Sequence, residues 1–150
     1  MLKVITEALV IMMAAVLLGV TNVHALEFYA LEPCRIVDTR AAGGGGPLQG
    51  GINQYIRKVT VAGKCGVPWN ASAVAVNVTA IDPSNAGYLA IFPAGDPDPS
   101  TVPSTMNFSQ YTNTANGAIV KLRAYAVEFW AGFGPGNQLD MALDVSGYFK

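Results

Sequence analysis

Side chains that could perform covalent chemistry are scarce in this sequence. The one histidine, His24, falls in an apolar N-terminal segment, so the rest of the chain has no imidazole. That excludes Ser-His-Asp and Cys-His mechanisms and every zinc site that uses histidine. Paired carboxylates could still hydrolyse a glycosidic bond, but no two acidic residues stand at a spacing that indicates such a pair. The acidic candidates are Asp38, Asp82, Asp96, Asp98, Asp140, Asp144, Glu27, Glu32 and Glu128. We therefore predict a protein that is not an enzyme and has no cofactor.

The segment GDPDPS holds the most closely spaced carboxylates, Asp96 and Asp98. Hard cations such as Ca²⁺ take carboxylate and carbonyl oxygens from a loop. Pro97 and Pro99 stand where such a loop would have to flex, and no closing glutamate follows. The sequence therefore predicts a solvated turn and no metal site, with calcium as the alternative.

The sequence contains two cysteines, Cys34 and Cys65, which allow one intramolecular pairing. In an exported chain an even number of cysteines indicates a disulfide. A bond that closes a loop of about 30 residues would stabilise the fold by about 3–4 kcal/mol. Two buried free thiols and an intermolecular bridge are the alternatives.

The N-terminus has the order of a secretory signal peptide. Lys3 supplies a positive charge, residues 8–20 are uncharged and mostly apolar, and Ala25 ends a stretch of small or modest side chains. The apolar run is shorter than the ~20 residues of a spanning helix. We predict a signal peptide at 1–25, one secreted domain at 26–150 and no membrane insertion of that domain. An uncleaved anchor, or a pilin-like assembly helix around Glu7, is the alternative.

Charge is sparse along the whole chain. The formal net charge is −1 and charged residues make up 13% of the sequence, against about 25% in an ordinary domain. No basic footprint for nucleic acid exists. A weakly charged surface provides little repulsion between copies of a protein, so self-association is expected. The alternative is that neutral polar side chains keep the protein soluble.

The elements that must position these residues are short strands joined by glycine-rich and proline-rich loops. Residues 73–80 alternate by twos, with Val74, Val76 and Val78 on one face. Pro33 interrupts the first segment, which predicts two short pieces or an edge strand. The predicted strands are 28–40, 55–62, 73–80, 88–92, 105–108, 118–122, 126–130 and 141–149. This pattern predicts an all-β fold, a single antiparallel β-sandwich that is jelly-roll-like or immunoglobulin-like.

Several segments together resemble one recurring domain, the "PCRxxDTR … DVxGYF" extracellular domain of bacterial surface and secreted proteins. The segments are PCRIVDTR at 33–40, GKCGVP at 63–68, AVNVT at 75–79, GYL at 87–89, FPAG at 92–95, NF at 107–108, AN at 115–116 and DVSGYF at 144–149. The resemblance implies a β-sandwich, a Cys34–Cys65 bridge, export and a bacterial source, with no catalytic role. The sequence departs from the pattern at 124–126, where similar domains more often carry a glycine turn.

Polar residues inside these segments form a candidate site: Asp38, Arg40, Asn77, Asn107, Asn116 and Asp144. Asp38 and Arg40 are two apart on an extended segment, so their side chains project from the same face. Buried polar groups in a sandwich must satisfy one another. We therefore predict a structural polar network, and a ligand site is the alternative.

Aromatic residues in or beside loops are candidates for stacking on sugar rings. Trp69, Trp130 and Tyr111 are the ones we select; covering the core is the alternative role for each.

Two functions follow from the sequence. The first is a secreted, non-catalytic structural or assembly module of the cell surface, for instance a subunit of an extracellular filament. Residues 26–31 are its candidate donor strand, with Leu26, Phe28 and Ala30 on one face, because such a strand can add to a neighbour's sheet edge. The alternative is a carbohydrate-binding or adhesion module with a polysaccharide partner.

Overall fold

The computed structural model describes residues 25–51, 56–95 and 101–150. Nine strands form within these residues, and no α-helix does. The strands are β1 (Phe28–Asp38), β2 (Leu48–Gln49), β3 (Arg57–Thr60), β4 (Ala73–Ile81), β5 (Gly87–Pro93), β6 (Met106–Phe108), β7 (Thr114–Lys121), β8 (Ala126–Gly132) and β9 (Gln138–Phe149). The predicted signal peptide and the Asp96–Asp98 segment lie outside the described residues, apart from Ala25.

The strands form two antiparallel sheets. The first sheet has the order β1-β9-β4-β7, with β2 paired to the start of β9, and the second has the order β3-β8-β5-β6. Side chains from both sheets meet in one hydrophobic core. This arrangement confirms the all-β, antiparallel β-sandwich that the sequence predicts.

The core follows from the alternation of apolar side chains along the central strands. Val74, Val76 and Val78 of β4 all point inward and are buried, as their period-two spacing predicts. Phe129 of β8 fills the opposite side of the core. Burying each such side chain contributes about 1.5–3 kcal/mol. Leu48, from the glycine-rich loop, is also buried, which anchors that loop to the sandwich.

Strand β1 lies at the end of the first sheet, as the proline in it predicts. Its pairing with β9 shifts register between Ala30 and Cys34, on either side of Pro33. Residues 28–30 pair with 147–149 of the same chain, and the backbone N–H of Glu27 donates to the carbonyl of Lys150 at 3.0 Å. The candidate donor strand therefore forms part of its own sheet, and its other edge pairs with no described strand.

The Cys34–Cys65 disulfide is present, with Cα atoms 5.8 Å apart. Cys34 belongs to β1 of the first sheet, and Cys65 lies in the turn that follows β3 of the second. The bond therefore links the two sheets at the side of the sandwich that is formed by their edge strands, β1 and β3.

The connection from β7 to β8 is a two-residue turn without glycine. Ala124 and Tyr125 both have positive φ, 48° and 66°, as a type I′ turn requires. The backbone N–H of Ala126 donates to the carbonyl of Arg123 at 3.1 Å. Strand β8 begins at Ala126 as predicted, although the sequence departs from the family pattern at this turn.

We expect the Cys34→Ala/Cys65→Ala variant to lose about 3–4 kcal/mol of unfolding free energy, because the loop that the bond closes becomes free in the unfolded chain. Urea denaturation of residues 26–150 measures the loss. The wild type in dithiothreitol should match the variant, which dithiothreitol should leave unchanged. Two free thiols in the denatured, unreduced wild type would contradict the prediction.

Candidate functional site

A row of alternating charges lies on the outer face of the first sheet, at the edge formed by β1. It consists of Arg40, Asp38, Arg35 and Asp144. The register of β1 with β9 places Arg35 opposite Asp144 and Asp38 opposite Ala142. Because opposite residues in an antiparallel pair project from the same face, the charged side chains meet there.

The hydrogen bonds of this row are mostly bidentate. Arg35 donates from Nε and Nη2 to both oxygens of Asp144, at 2.5 and 3.0 Å, and from Nη1 to Asp38 Oδ2 at 2.9 Å. Arg40 donates from Nε and Nη2 to both oxygens of Asp38, at 2.9 and 2.7 Å. Its backbone N–H adds a further bond to Asp38 Oδ1. Paired, charge-assisted bonds of this kind fix geometry as well as charge.

The row holds its groups in their charged forms. The hydrogen bond from Arg40, with its charge and that of Arg35, holds the pKa of Asp38 well below its usual range. The hydrogen bond to Asp144 raises the pKa of Arg35, and that to Asp38 raises the pKa of Arg40. General acid–base catalysis needs a group with a pKa near the working pH. Asp38, Arg35 and Arg40 do not offer one near neutrality.

A buried threonine fastens the end of β1 beside this row. Thr39 Oγ1 donates to Asp140 Oδ1 at 2.5 Å and accepts the backbone N–H of Met141 at 2.8 Å. Its backbone N–H donates to the carbonyl of Met141 at 3.0 Å. Thr39 is 3% exposed, so these bonds satisfy polar groups that water does not reach. The row and Thr39 together lock β1 to β9 beyond the Pro33 irregularity.

The structure brings together three of the six residues of the predicted polar network. Arg35, which is not among the six, links Asp38 to Asp144. Arg40 bonds directly to Asp38. No spacing in the sequence indicated Arg35, because residues three apart on a regular strand point to opposite faces and the register shift between Arg35 and Val37 appears only in the fold. The network also lies at the surface, where Arg35 and Arg40 are about half exposed, whereas the prediction assumed burial.

The three asparagines do not join the row. Asn77 stands opposite Asp144 on β4 and is exposed. Asn116 Nδ2 donates to the carbonyl of Thr105 at 2.6 Å. Asn107 is an exposed residue of β6 opposite Tyr88. None of them contributes a hydrogen bond to the charged row among the described residues.

The aromatic candidates differ in exposure. Trp69 is 60% exposed and stands perpendicular to Tyr125, which is 53% exposed, with ring centroids 5.2 Å apart. Tyr111 is 71% exposed, with a φ of 54°. Trp130 is half-buried against Tyr88. Sequence reasoning missed Tyr125, because the turn that carries it contacts Trp69 only in the folded chain.

Neither a metal centre nor a membrane helix is found in the described part of the chain. No three His, Cys, Asp or Glu side chains there are grouped to hold a metal ion. No helix there is long and apolar enough to cross a membrane. Asp96 and Asp98, the calcium alternative, lie outside the described residues.

Comparisons with protein-family models, with curated proteins and with solved structures found no match to this chain. Membership of the "PCRxxDTR … DVxGYF" family therefore stays a prediction.

We expect the Asp38→Asn variant to flatten the acid dependence of stability. Because the pKa of Asp38 is lowered on folding, the stability it contributes is fully present above the unfolded pKa of about 3.9 and is lost as pH falls below it. Melting temperatures between pH 7 and pH 2 measure this. The variant should melt lower than the wild type at pH 7 and approach it at pH 2.

Asp82→Asn is the matched control, because Asp82 is exposed and forms no ion pair among the described residues. Its melting profile should follow that of the wild type. Parallel profiles for Asp38→Asn and the wild type would show that the row adds nothing to acid stability.

Proposed function

We propose that the chain is a secreted, non-catalytic structural module of the cell surface, a subunit that assembles with further copies into a filament. The observation that carries the proposal is the unguarded edge strand β7. Proteins block exposed sheet edges with proline, bulges, charge or short length, because an open edge pairs with other strands.

Among the described strands, the other sheet edges are guarded. Strand β1 carries Pro33 and a register shift, β3 has four residues and includes Arg57 and Lys58, and β6 has three residues. Strand β7 has eight residues, TANGAIVK, whose single charge is the terminal Lys121. Its Ile119 is 69% exposed. It is therefore the edge most open to another strand.

The topology of the first sheet allows it to continue from one copy to the next. In the order β1-β9-β4-β7 each strand is antiparallel to its neighbour. The strand at one end thus runs opposite to the strand at the other, and β1 of a second copy placed beside β7 would extend the antiparallel pattern. Such head-to-tail contact propagates into a filament when the rotation does not close.

Pro33 limits which part of β1 can take part. The residues before it, from Phe28 to Glu32, offer an edge without proline, and Leu26 and Phe28 expose apolar side chains there. This is the segment selected from sequence as a donor strand, and it keeps its bonds to β9 while its free edge accepts β7 of a neighbour. Backbone hydrogen bonds would give affinity, as in other strand additions.

We expect Ile119→Lys to abolish polymerisation of residues 26–150. A lysine on an edge strand opposes strand addition, and at an exposed position it should change stability by no more than about 0.5 kcal/mol. Sedimentation velocity and negative-stain microscopy at rising concentration measure assembly, and circular dichroism confirms folding.

Ser109→Lys is the control, since it adds the same charge at an exposed position outside β7. It should polymerise like the wild type. A wild type that stays monomeric at the highest attainable concentration would contradict the proposal, as would Ile119→Lys filaments equal to those of the wild type.

A second candidate function, carbohydrate binding, is favoured by the exposed Trp69–Tyr125 pair. Two large rings held at right angles offer one face for stacking on a sugar and an edge beside it. Tyr111 and the half-buried Trp130 lack such an exposed partner ring in the described residues.

If this second function is correct, Trp69→Ala should weaken retention on the best-bound neutral glycan by about tenfold or more, since stacked aromatic contacts are worth about 0.5–1.5 kcal/mol beyond the area they bury. Affinity electrophoresis in gels cast with soluble glycans measures retention. Tyr111→Ala serves as the control and should migrate like the wild type. Equal migration of Trp69→Ala and the wild type in every glycan gel would refute this function.

A further inference from the structure

A groove runs along the side of the sandwich where β1 and β3 end the two sheets. Its main part has a volume of about 550 Å³, and a recess of about 280 Å³ continues it along β1. Lys64 and the glycine-rich loop line both parts. The size falls within the range of small-molecule and oligomer sites.

Arg57 builds one wall of this groove. Its side chain lies under the glycine-rich loop and donates to three successive carbonyls, those of Gly44, Gly45 and Gly46, at 3.1, 3.0 and 3.4 Å. Gly45 has a φ of 86°, and a Cβ there would lie 2.5 Å from Arg57 Nη1. The loop wall is therefore bare backbone held by one guanidinium, which lets a ligand approach closely.

The groove carries two lysines that form no ion pair in the described part of the chain. These are Lys58 and Lys64, which both line its main part. Asp38 borders the recess, but its oxygens are occupied by Arg35 and Arg40.

The distribution of charged residues along the sequence is also uneven. From position 41 to position 81 no acidic residue occurs, and the charged residues are Arg57, Lys58 and Lys64. The cross-strand neighbour of Lys58 is Glu128, whose carboxylate is buried and accepts the backbone N–H of Gly95 at 3.0 Å. Six cations form no ion pair in the described residues: Arg57, Lys58 and Lys64 line the groove, and Lys121, Arg123 and Lys150 lie outside it.

We infer that this groove binds an acidic polysaccharide through the carboxylates of its sugars, held by Lys58 and Lys64. Neither Trp69 nor Tyr125 lines the groove, but Trp69 packs against Gly63, the residue before Lys64, so a sugar chain bound in the groove could extend to the ring pair beside it. Two free cations are too few for a nucleic-acid footprint. The inference does not depend on filament assembly, and it adds to the carbohydrate alternative a charged site separate from the stacking rings.

The test is calorimetric titration of residues 26–150 with hexagalacturonate, whose short length excludes avidity between copies. We expect binding that weakens as salt rises, and a loss of about tenfold in affinity for Lys58→Gln/Lys64→Gln. Maltohexaose, the neutral arm, and pyrophosphate, the anion without sugar, should each bind at least tenfold more weakly than hexagalacturonate.

Lys121→Gln/Lys150→Gln is the matched control, because it removes the same charge from exposed positions outside the groove. It should bind hexagalacturonate within twofold of the wild type. Absence of binding at low salt would overturn the inference, as would equal losses in the two double variants. Pyrophosphate binding as tight as that of hexagalacturonate would show a general anion site and would also overturn it. Trp69→Ala, titrated in parallel, reports on the stacking rings independently.

Discussion

The disulfide between Cys34 and Cys65 is the constraint that holds together the side of the sandwich formed by the edge strands β1 and β3. Strand β1 loses its regular pairing with β9 between Ala30 and Cys34, so backbone hydrogen bonds alone hold it weakly there. The disulfide ties β1, at that point, to the turn after β3 in the opposite sheet. That turn has positive φ at Gly63, Cys65 and Gly66. Fixing it also fixes Lys64 beside the groove.

The charged groups near this link fall into two sets with different physical roles. The row from Arg40 to Asp144 neutralises itself through paired hydrogen bonds. As an exposed network it contributes less than the disulfide, since surface ion pairs are worth about 0–1 kcal/mol each. Lys58 and Lys64 have no such partners among the described residues, so their charge is available to a ligand. The presence or absence of ion pairs therefore distinguishes the row from the lysines of the proposed groove.

The sequence alone predicted the features that depend on local pattern. The alternation at Val74, Val76 and Val78, and the effect of Pro33 on β1, follow from strand periodicity and from the missing proline N–H. Arg35 was not predicted as the centre of the charged row, because its contact with Asp144 depends on the register of strands far apart in the chain. The same holds for Tyr125: no glycine marks its turn, and its contact with Trp69 is long-range.

Pro33 also divides the edge of β1 between the two proposed interactions. Before it, residues 28–32 offer a strand edge for β7 of another copy; after it, Arg35, Val37 and Asp38 border the recess of the groove. Assembly through the first half would engage residues that do not line the groove. A filament would then present the groove at a fixed repeat, and a long acidic polysaccharide could occupy several grooves at once. Because each further contact on one polymer is intramolecular, the combined affinity can exceed that of a single groove by orders of magnitude, about 10²–10⁴. Weak binding at one site is therefore compatible with firm attachment of the assembled protein.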